Sequence, residues 1–145
     1  MNGTEQKVVM VPCSGIGKPF GTVAREAAYE VCDSLRPDGT RLVALSKLVL
    51  GDDAARNLVR QNPVITIDGC PKMCAATMVK QSGGTVVSES TVFDAFRRHR
   101  ELKPEGIAEL NDPGLQLAQV MAQEIAATVD EIGRSGKMAT GDGHG

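Results

Sequence analysis

The chain has 145 residues, of which 41% are apolar and 23% charged, and its formal net charge is −2 at pH 7. This length and apolar content fit one domain with one core, and no apolar run approaches the roughly 20 residues needed to cross a bilayer. With no tryptophan, one tyrosine, three phenylalanines and no basic excess, the composition argues against nucleic acid as a partner. We expect neither a membrane nor a nucleic-acid partner.

The N-terminal residues 1–7 are polar and lead directly into a strand pattern. They contain neither a basic segment nor the apolar stretch of a secretion signal, so we expect a cytoplasmic protein. In a reducing compartment, the four cysteines are ligands, reactive thiols or core residues more often than a disulfide framework.

The first predicted strand covers residues 8–11 and leads into a glycine-rich loop that begins at Cys13, as is typical after a buried parallel strand. The first predicted helix has Thr22 as its N-cap and ends near Leu35. The later predicted elements are strands over 42–45, 63–67 and 85–88, and helices over 51–60, 71–81, 90–100 and 112–133.

Strands that alternate with helices of about ten residues imply right-handed crossovers and a mostly parallel sheet. We therefore predict an α/β fold, a single-domain three-layer sandwich of the Rossmann-like or flavodoxin-like kind, over residues 1–133. The Gly-rich residues 134–145 are predicted to be a flexible C-terminal tail.

The segment 65–74 is a predicted strand, an Asp-Gly break and two cysteines, Cys70 and Cys74, in a CxxxC motif. If Pro71 is the first residue of the helix, both thiols lie near the helix N-terminus, one turn apart. Unpaired N–H groups and the positive end of the helix dipole favour thiolate over thiol at such a position. The pattern therefore predicts metal binding or sulfur chemistry.

Cys13 and Cys70 both follow strands, at the edge where the loops of a parallel sheet form binding sites. If the first and third strands are neighbours, as in a flavodoxin-like order, Cys13, Cys70 and Cys74 converge. Sulfur atoms of Cys13 and Cys70 more than about 8 Å apart would exclude a shared zinc, because zinc–sulfur bonds are about 2.3 Å long. Cys32 is predicted to be a core residue on the first helix, about 15 Å from this edge.

Asp68 has three possible roles: a fourth ligand, a group that orients the neighbours of a thiolate, or the first residue of an Asp-Gly turn. His99 lies among arginines and His144 lies in the tail, so no convincing general base accompanies the thiols. The sequence leaves open whether the protein is an enzyme, a carrier or a sensor.

These motifs resemble the DGC-domain family, which is named for its central Asp-Gly-Cys motif. The resemblance covers roughly residues 8–83 and rests on Asp68-Gly69-Cys70-Pro71-x-x-Cys74 after an apolar strand, with Cys13-Ser14-Gly15 in a strand-end loop. Members of that family are regarded as candidate zinc-binding proteins with four cysteines and no established activity.

The resemblance implies a zinc ion held by the thiolates of Cys13, Cys70 and Cys74, and a bound group bordered by Ser14, Gly15, Asp68 and Gly69. The remaining family cysteine lies at the end of the second strand, where this chain has Leu45. Water, Ser46, Asp68 or an outside ligand would then complete the metal coordination. Three protein ligands with an open position characterise catalytic and transfer sites, so a small molecule or a protein partner is expected there.

Three alternatives stay open. Iron or an iron–sulfur cluster suits thiolates as zinc does. A metal-free thiol enzyme would use Cys70 as the nucleophile and Cys74 as the resolving thiol in redox or persulfide transfer. The segment 13–18 also resembles the phosphocysteine loop of sugar phosphotransferase IIB domains, centred on Cys13.

Overall fold

The computed structural model describes residues 7–13, 18–69, 72–106 and 109–144, with side chains described as far as Arg134. One sheet in the order β2-β1-β3-β4 contains the four described strands, which are β1 (Val8–Pro12), β2 (Thr40–Leu42), β3 (Val64–Asp68) and β4 (Val86–Thr91). All three strand pairs are parallel. The predicted α/β fold is confirmed, including the adjacency of the first and third strands.

Helices flank this sheet on both faces. α1 packs against α5 and α6, whereas α2 packs against α3 and α4, which gives the three predicted layers. The described helices are α1 (Pro19–Glu30), continued by a π-helical turn (Val31–Leu35), α2 (Leu45–Leu50), α3 (Asp53–Gln61), α4 (Cys74–Gln81), α5 (Val92–Arg98) and α6 (Asp112–His144). Within the described ranges, none of these helices has the length and apolar character needed to span a membrane.

Strands β1 and β3 form the centre of the sheet, and every residue of both is buried. Their β-branched and apolar side chains suit a strand that is covered on both faces. The register places Pro12 opposite Ile67, so Cys13 and Asp68, the next residues along, lie at the same carboxyl edge. The strand order reverses between β1 and β3, and ligands of open α/β sheets bind at such a reversal.

Helix α1 begins at Pro19 rather than at the predicted N-cap Thr22. Proline loses no hydrogen bond in the first turn of a helix and its φ already suits one. Thr22 lies inside the helix, is buried, and donates its N–H to the carbonyl oxygen of Lys18. The predicted cap is therefore wrong by one turn.

The second strand ends at Leu42, and the predicted strand 42–45 is wrong beyond that point. Leu45 instead begins α2, a helix that the sequence analysis did not predict. Leu45 and Leu48 are buried on one side of it, while Val49 and Leu50 are exposed. Six residues are too few for helical periodicity to be distinguished from a short apolar strand.

In the C-terminal half, β4 continues to Thr91, whose hydroxyl oxygen accepts a 3.1 Å hydrogen bond from the N–H of Asp94 and caps α5. Ser90, the first residue of the predicted helix 90–100, is a strand residue. Helix α6 passes through Gly133, its predicted end, and continues to His144. One glycine costs a helix only about 1 kcal/mol, so it does not by itself end one.

Candidate functional site

Cys13 follows β1 and lies in contact with the loop that follows β3. Its N–H donates to the carbonyl oxygen of Ile67 over 2.9 Å. Its sulfur accepts a 3.1 Å hydrogen bond from the N–H of Gly69, and the residue is only 6% exposed. The described parts of the two loops therefore converge, as the strand order predicts, and a thiolate at Cys13 would have a backbone donor.

Asp68 ends β3 and is bonded to the helix that follows the loop. Its Oδ1 accepts from the N–H of Ala75 over 2.8 Å and its Oδ2 accepts from the N–H of Ala76 over 3.2 Å. The side chain is 1% exposed. These are two of the N–H groups that a helix cannot satisfy within itself, so Asp68 caps α4 across the intervening loop.

Helix α4 begins at Cys74 and not at Pro71, which corrects the predicted helix 71–81. Met73 occupies the N-cap position, with a left-handed backbone (φ 55°, ψ 47°) and no side-chain hydrogen bond to the helix. Cys74 is thus the first helical residue, and it is exposed. The predicted helix start at Pro71 is therefore wrong, whereas the predicted position of Cys70 relative to Cys74 lies outside the described residues.

Three of the predicted site residues, namely Ser14, Gly15 and Cys70, lie outside the described residues, and so does Pro71. Within the described ranges, no group of three or more His, Cys, Asp or Glu side chains lies close enough together to hold a metal ion. The predicted ligand set includes Cys70 and so stays a prediction.

Comparison with known proteins identifies the family. The family model described as "DGC domain" matches residues 9–112, which is more than half of the chain. The chain belongs to the DGC domain family. Searches among curated proteins and among solved structures gave no match.

At Leu45, this chain differs from the four-cysteine pattern that the family resemblance implies. That side chain is 8% exposed and belongs to the core at the start of α2. Ser46, the neighbouring candidate ligand, is exposed on the same helix. An apolar core residue therefore stands where the resemblance placed a fourth cysteine.

Cys32 is separate from these loops. It lies in the π-helical turn after α1, is half-buried, and packs against the core, as predicted. Burial raises the pKa of the Cys32 thiol, the nearby charge of Asp33 raises it further, and a hydrogen bond with Thr40 opposes both. Cys32 is therefore a suitable matched control for substitutions of the loop cysteines.

Two features of the residues next to the Asp-Gly-Cys motif, at Met73 and Gly69, were not found from the sequence. The first is the left-handed backbone of Met73, since side chains with a β-carbon rarely adopt it. The second is the contact of Gly69 with α1: a β-carbon at Gly69 would lie 3.0 Å from the backbone nitrogen of Gly21. The Asp-Gly dipeptide was a signal for a turn, but it carries no information about a helix packed against that turn.

A cavity of about 350 Å³ lies between β4, α5 and α6, and no cysteine lines it. Each of its three carboxylates forms an ion pair with a neighbouring cation: Glu89 with Lys80, Asp94 with Arg97, and Glu124 with Arg98. This cavity therefore lacks the thiols that the loops after β1 and β3 carry.

The titration of Asp68 gives a testable pH dependence. Burial raises the pKa of this carboxyl, the two backbone N–H bonds lower it, and the charge of Glu89 raises it. A raised folded-state pKa contributes stability that is present below the unfolded-state value of about 4 and is lost as pH rises through the folded-state value. The free energy of unfolding of the metal-free wild type, relative to that of Asp68→Asn, should therefore fall as pH rises. Urea unfolding of both proteins at a series of pH values above about 4 measures this stability difference. A difference that grows in favour of the wild type as pH rises would contradict the prediction.

Proposed function

We propose that this protein binds a zinc ion through the thiolates of Cys13, Cys70 and Cys74 at the carboxyl edge of its sheet. The observation that carries this proposal is the hydrogen bond from the N–H of Gly69 to the sulfur of Cys13. It joins the loop after β1 to the residue that precedes Cys70 in the chain. Backbone N–H donors of this kind satisfy a thiolate that also binds a metal.

The position of Cys74 supports the same assignment. It is the first residue of α4, and the start of this helix is bonded to Asp68, which precedes Gly69. The segments that carry Cys13 and Cys74 are therefore both linked to the Asp-Gly dipeptide. Thiolates bind both zinc and iron in proteins, so iron is the alternative metal.

The core position of Leu45 supports a site with three thiolates instead of four. Zinc prefers four ligands, and a site with three protein ligands keeps one position for water, a small molecule or a thiol of a protein partner. We propose that the metal is reachable in this way, and that the protein acts in the cytoplasm, where thiols stay reduced.

Metal content per chain, measured on protein purified without air, tests the proposal. We expect about one zinc per chain in the wild type, loss of zinc in Cys13→Ser, Cys70→Ser and Cys74→Ser, and retention in the matched control Cys32→Ser. Chelation of the loaded protein should also lower its Tm, because a metal bound only by the folded state stabilises that state.

Two results would overturn the proposal. A metal-free wild type with reactive loop thiols would favour redox or persulfide transfer. Phosphate labelling that is abolished by Cys13→Ser but not by Cys70→Ser would favour the phosphocysteine loop. The burial of Cys13 argues against the second result, since a phosphoryl group on its sulfur needs space for three oxygens.

A further inference from the structure

We propose that Asp68 is a positioning residue for the thiol site, and that its carboxylate sets the place of Cys74 relative to Cys13 without binding the metal. This inference rests on the proposed metal site and assigns one of its residues a role. It selects among the three interpretations of Asp68 that the sequence leaves open.

The direction of the carboxylate supports a role other than that of a ligand. Both oxygens accept backbone N–H groups of α4, from Ala75 and Ala76, and the side chain is almost completely buried. The hydrogen bonds from α4 occupy one lone-pair site on each oxygen, and the buried carboxylate faces the helix. Its two hydrogen bonds fix the first turn of α4, whose first residue is Cys74.

The side chain that caps α4 belongs to Asp68 and not to the residue directly before the helix, Met73. This arrangement accompanies the left-handed backbone conformation of Met73. The residue before a helix usually supplies the cap from its own side chain. Here Met73 occupies that place without such a bond and adopts the left-handed region. A non-glycine residue keeps this conformation only where its surroundings over-determine it. The hydrogen bonds of Asp68 to Ala75 and Ala76 hold the first turn of the helix that directly follows Met73.

The next residue completes the link to the second thiol. Gly69 follows Asp68 directly and donates its N–H to the sulfur of Cys13. The dipeptide therefore contacts both thiol segments, one through a side chain and the other through the backbone. A change that releases Asp68 from α4 should disturb Cys74 directly and Cys13 through Gly69.

The substitution Asp68→Asn removes hydrogen-bonding capacity while it leaves the volume of the side chain almost unchanged. Asparagine has nearly the same size, but it presents one oxygen and one NH₂ group to the two N–H donors, so it keeps at most one of the two bonds. The matched control is Asp52→Asn. Asp52 caps α3 by accepting a 2.9 Å hydrogen bond from the N–H of Ala55, and it is not part of the thiol loops.

Zinc affinity, measured by competition with a chromophoric chelator, is the first readout. We expect Asp68→Asn to weaken zinc binding about tenfold or more, as loss of a group that orients a ligand does. Asp52→Asn should bind zinc like the wild type. Cobalt(II) should show an altered thiolate absorption spectrum in Asp68→Asn only. Unchanged affinity and spectrum in Asp68→Asn would overturn the proposal.

Alkylation of the metal-free protein by iodoacetamide is the second readout, and it does not depend on metal binding. Cys13 should be alkylated several-fold faster in Asp68→Asn than in the wild type, because its hydrogen bond with Gly69 breaks more often, and Asp52→Asn should show no such change. If the wild type binds no zinc, the proposed metal site is refuted. The alkylation rate of Cys13 still tests the positioning role of Asp68 in that case. An unchanged Cys13 rate would overturn that role.

Discussion

Replacing Gly69 with alanine is expected to lower the free energy of unfolding by about 1–3 kcal/mol, the usual cost of forcing an extra carbon into a packed region. The added β-carbon would lie 3.0 Å from the nitrogen of Gly21 and from the carbonyl carbon of Phe20, and 3.1 Å from the oxygen of Phe20. These atoms belong to the backbone of the first turns of α1, so no side chain can rotate to make room.

The same substitution is expected to weaken zinc binding. The loop must move away from α1 to accept the methyl group, and this movement lengthens the hydrogen bond from Gly69 to Cys13. Urea unfolding and zinc competition measure the two effects. Gly39→Ala is the matched control: its β-carbon would meet nothing within 4 Å, so both quantities should stay close to those of the wild type. A Gly69→Ala protein with wild-type stability would refute the proposed close packing.

The topology of this fold was predictable because it depends on signals that extend over many residues. Buried β-branched runs, helical periodicity and the alternation of the two specify a parallel sheet. The adjacency of β1 and β3 followed from the flavodoxin-like order that such an alternation favours. It placed Cys13 and the Asp-Gly loop at one edge, which the contact of Cys13 with Gly69 confirms.

The start of α4 was not predictable from local signals. Pro71 favours a helix that begins at or just before it, and the prediction followed that rule. The observed start depends on Asp68, whose carboxylate reaches N–H groups seven and eight residues later in the chain. Capping rules consider a residue next to its helix, so a cap that crosses a loop gives no sequence signal. The difference changes the site, because the two residues directly before Cys74, Lys72 and Met73, are not helical.

Thr66→Val is expected to raise the free energy of unfolding by about 1–3 kcal/mol, which is the cost of a buried polar group without a partner. Thr66 lies in the middle of β3, opposite Val11 of β1 and Glu89 of β4. It is completely buried, and its hydroxyl has no hydrogen-bond partner among the described residues. Valine has the same shape without the hydroxyl and suits a central strand.

Thr40→Val provides the matched comparison, because it removes a buried hydroxyl that does have a partner. The Thr40 hydroxyl donates a 2.7 Å hydrogen bond to the carbonyl oxygen of Arg36, so its loss should lower the free energy of unfolding by about 1 kcal/mol. The two substitutions should therefore shift the urea midpoint in opposite directions. A destabilised Thr66→Val protein would contradict the expectation and assign a bonded partner to that hydroxyl. Since Thr66 lies two residues before Asp68 on the same strand, the stabilised variant would also provide a firmer background for substitutions in the thiol loop.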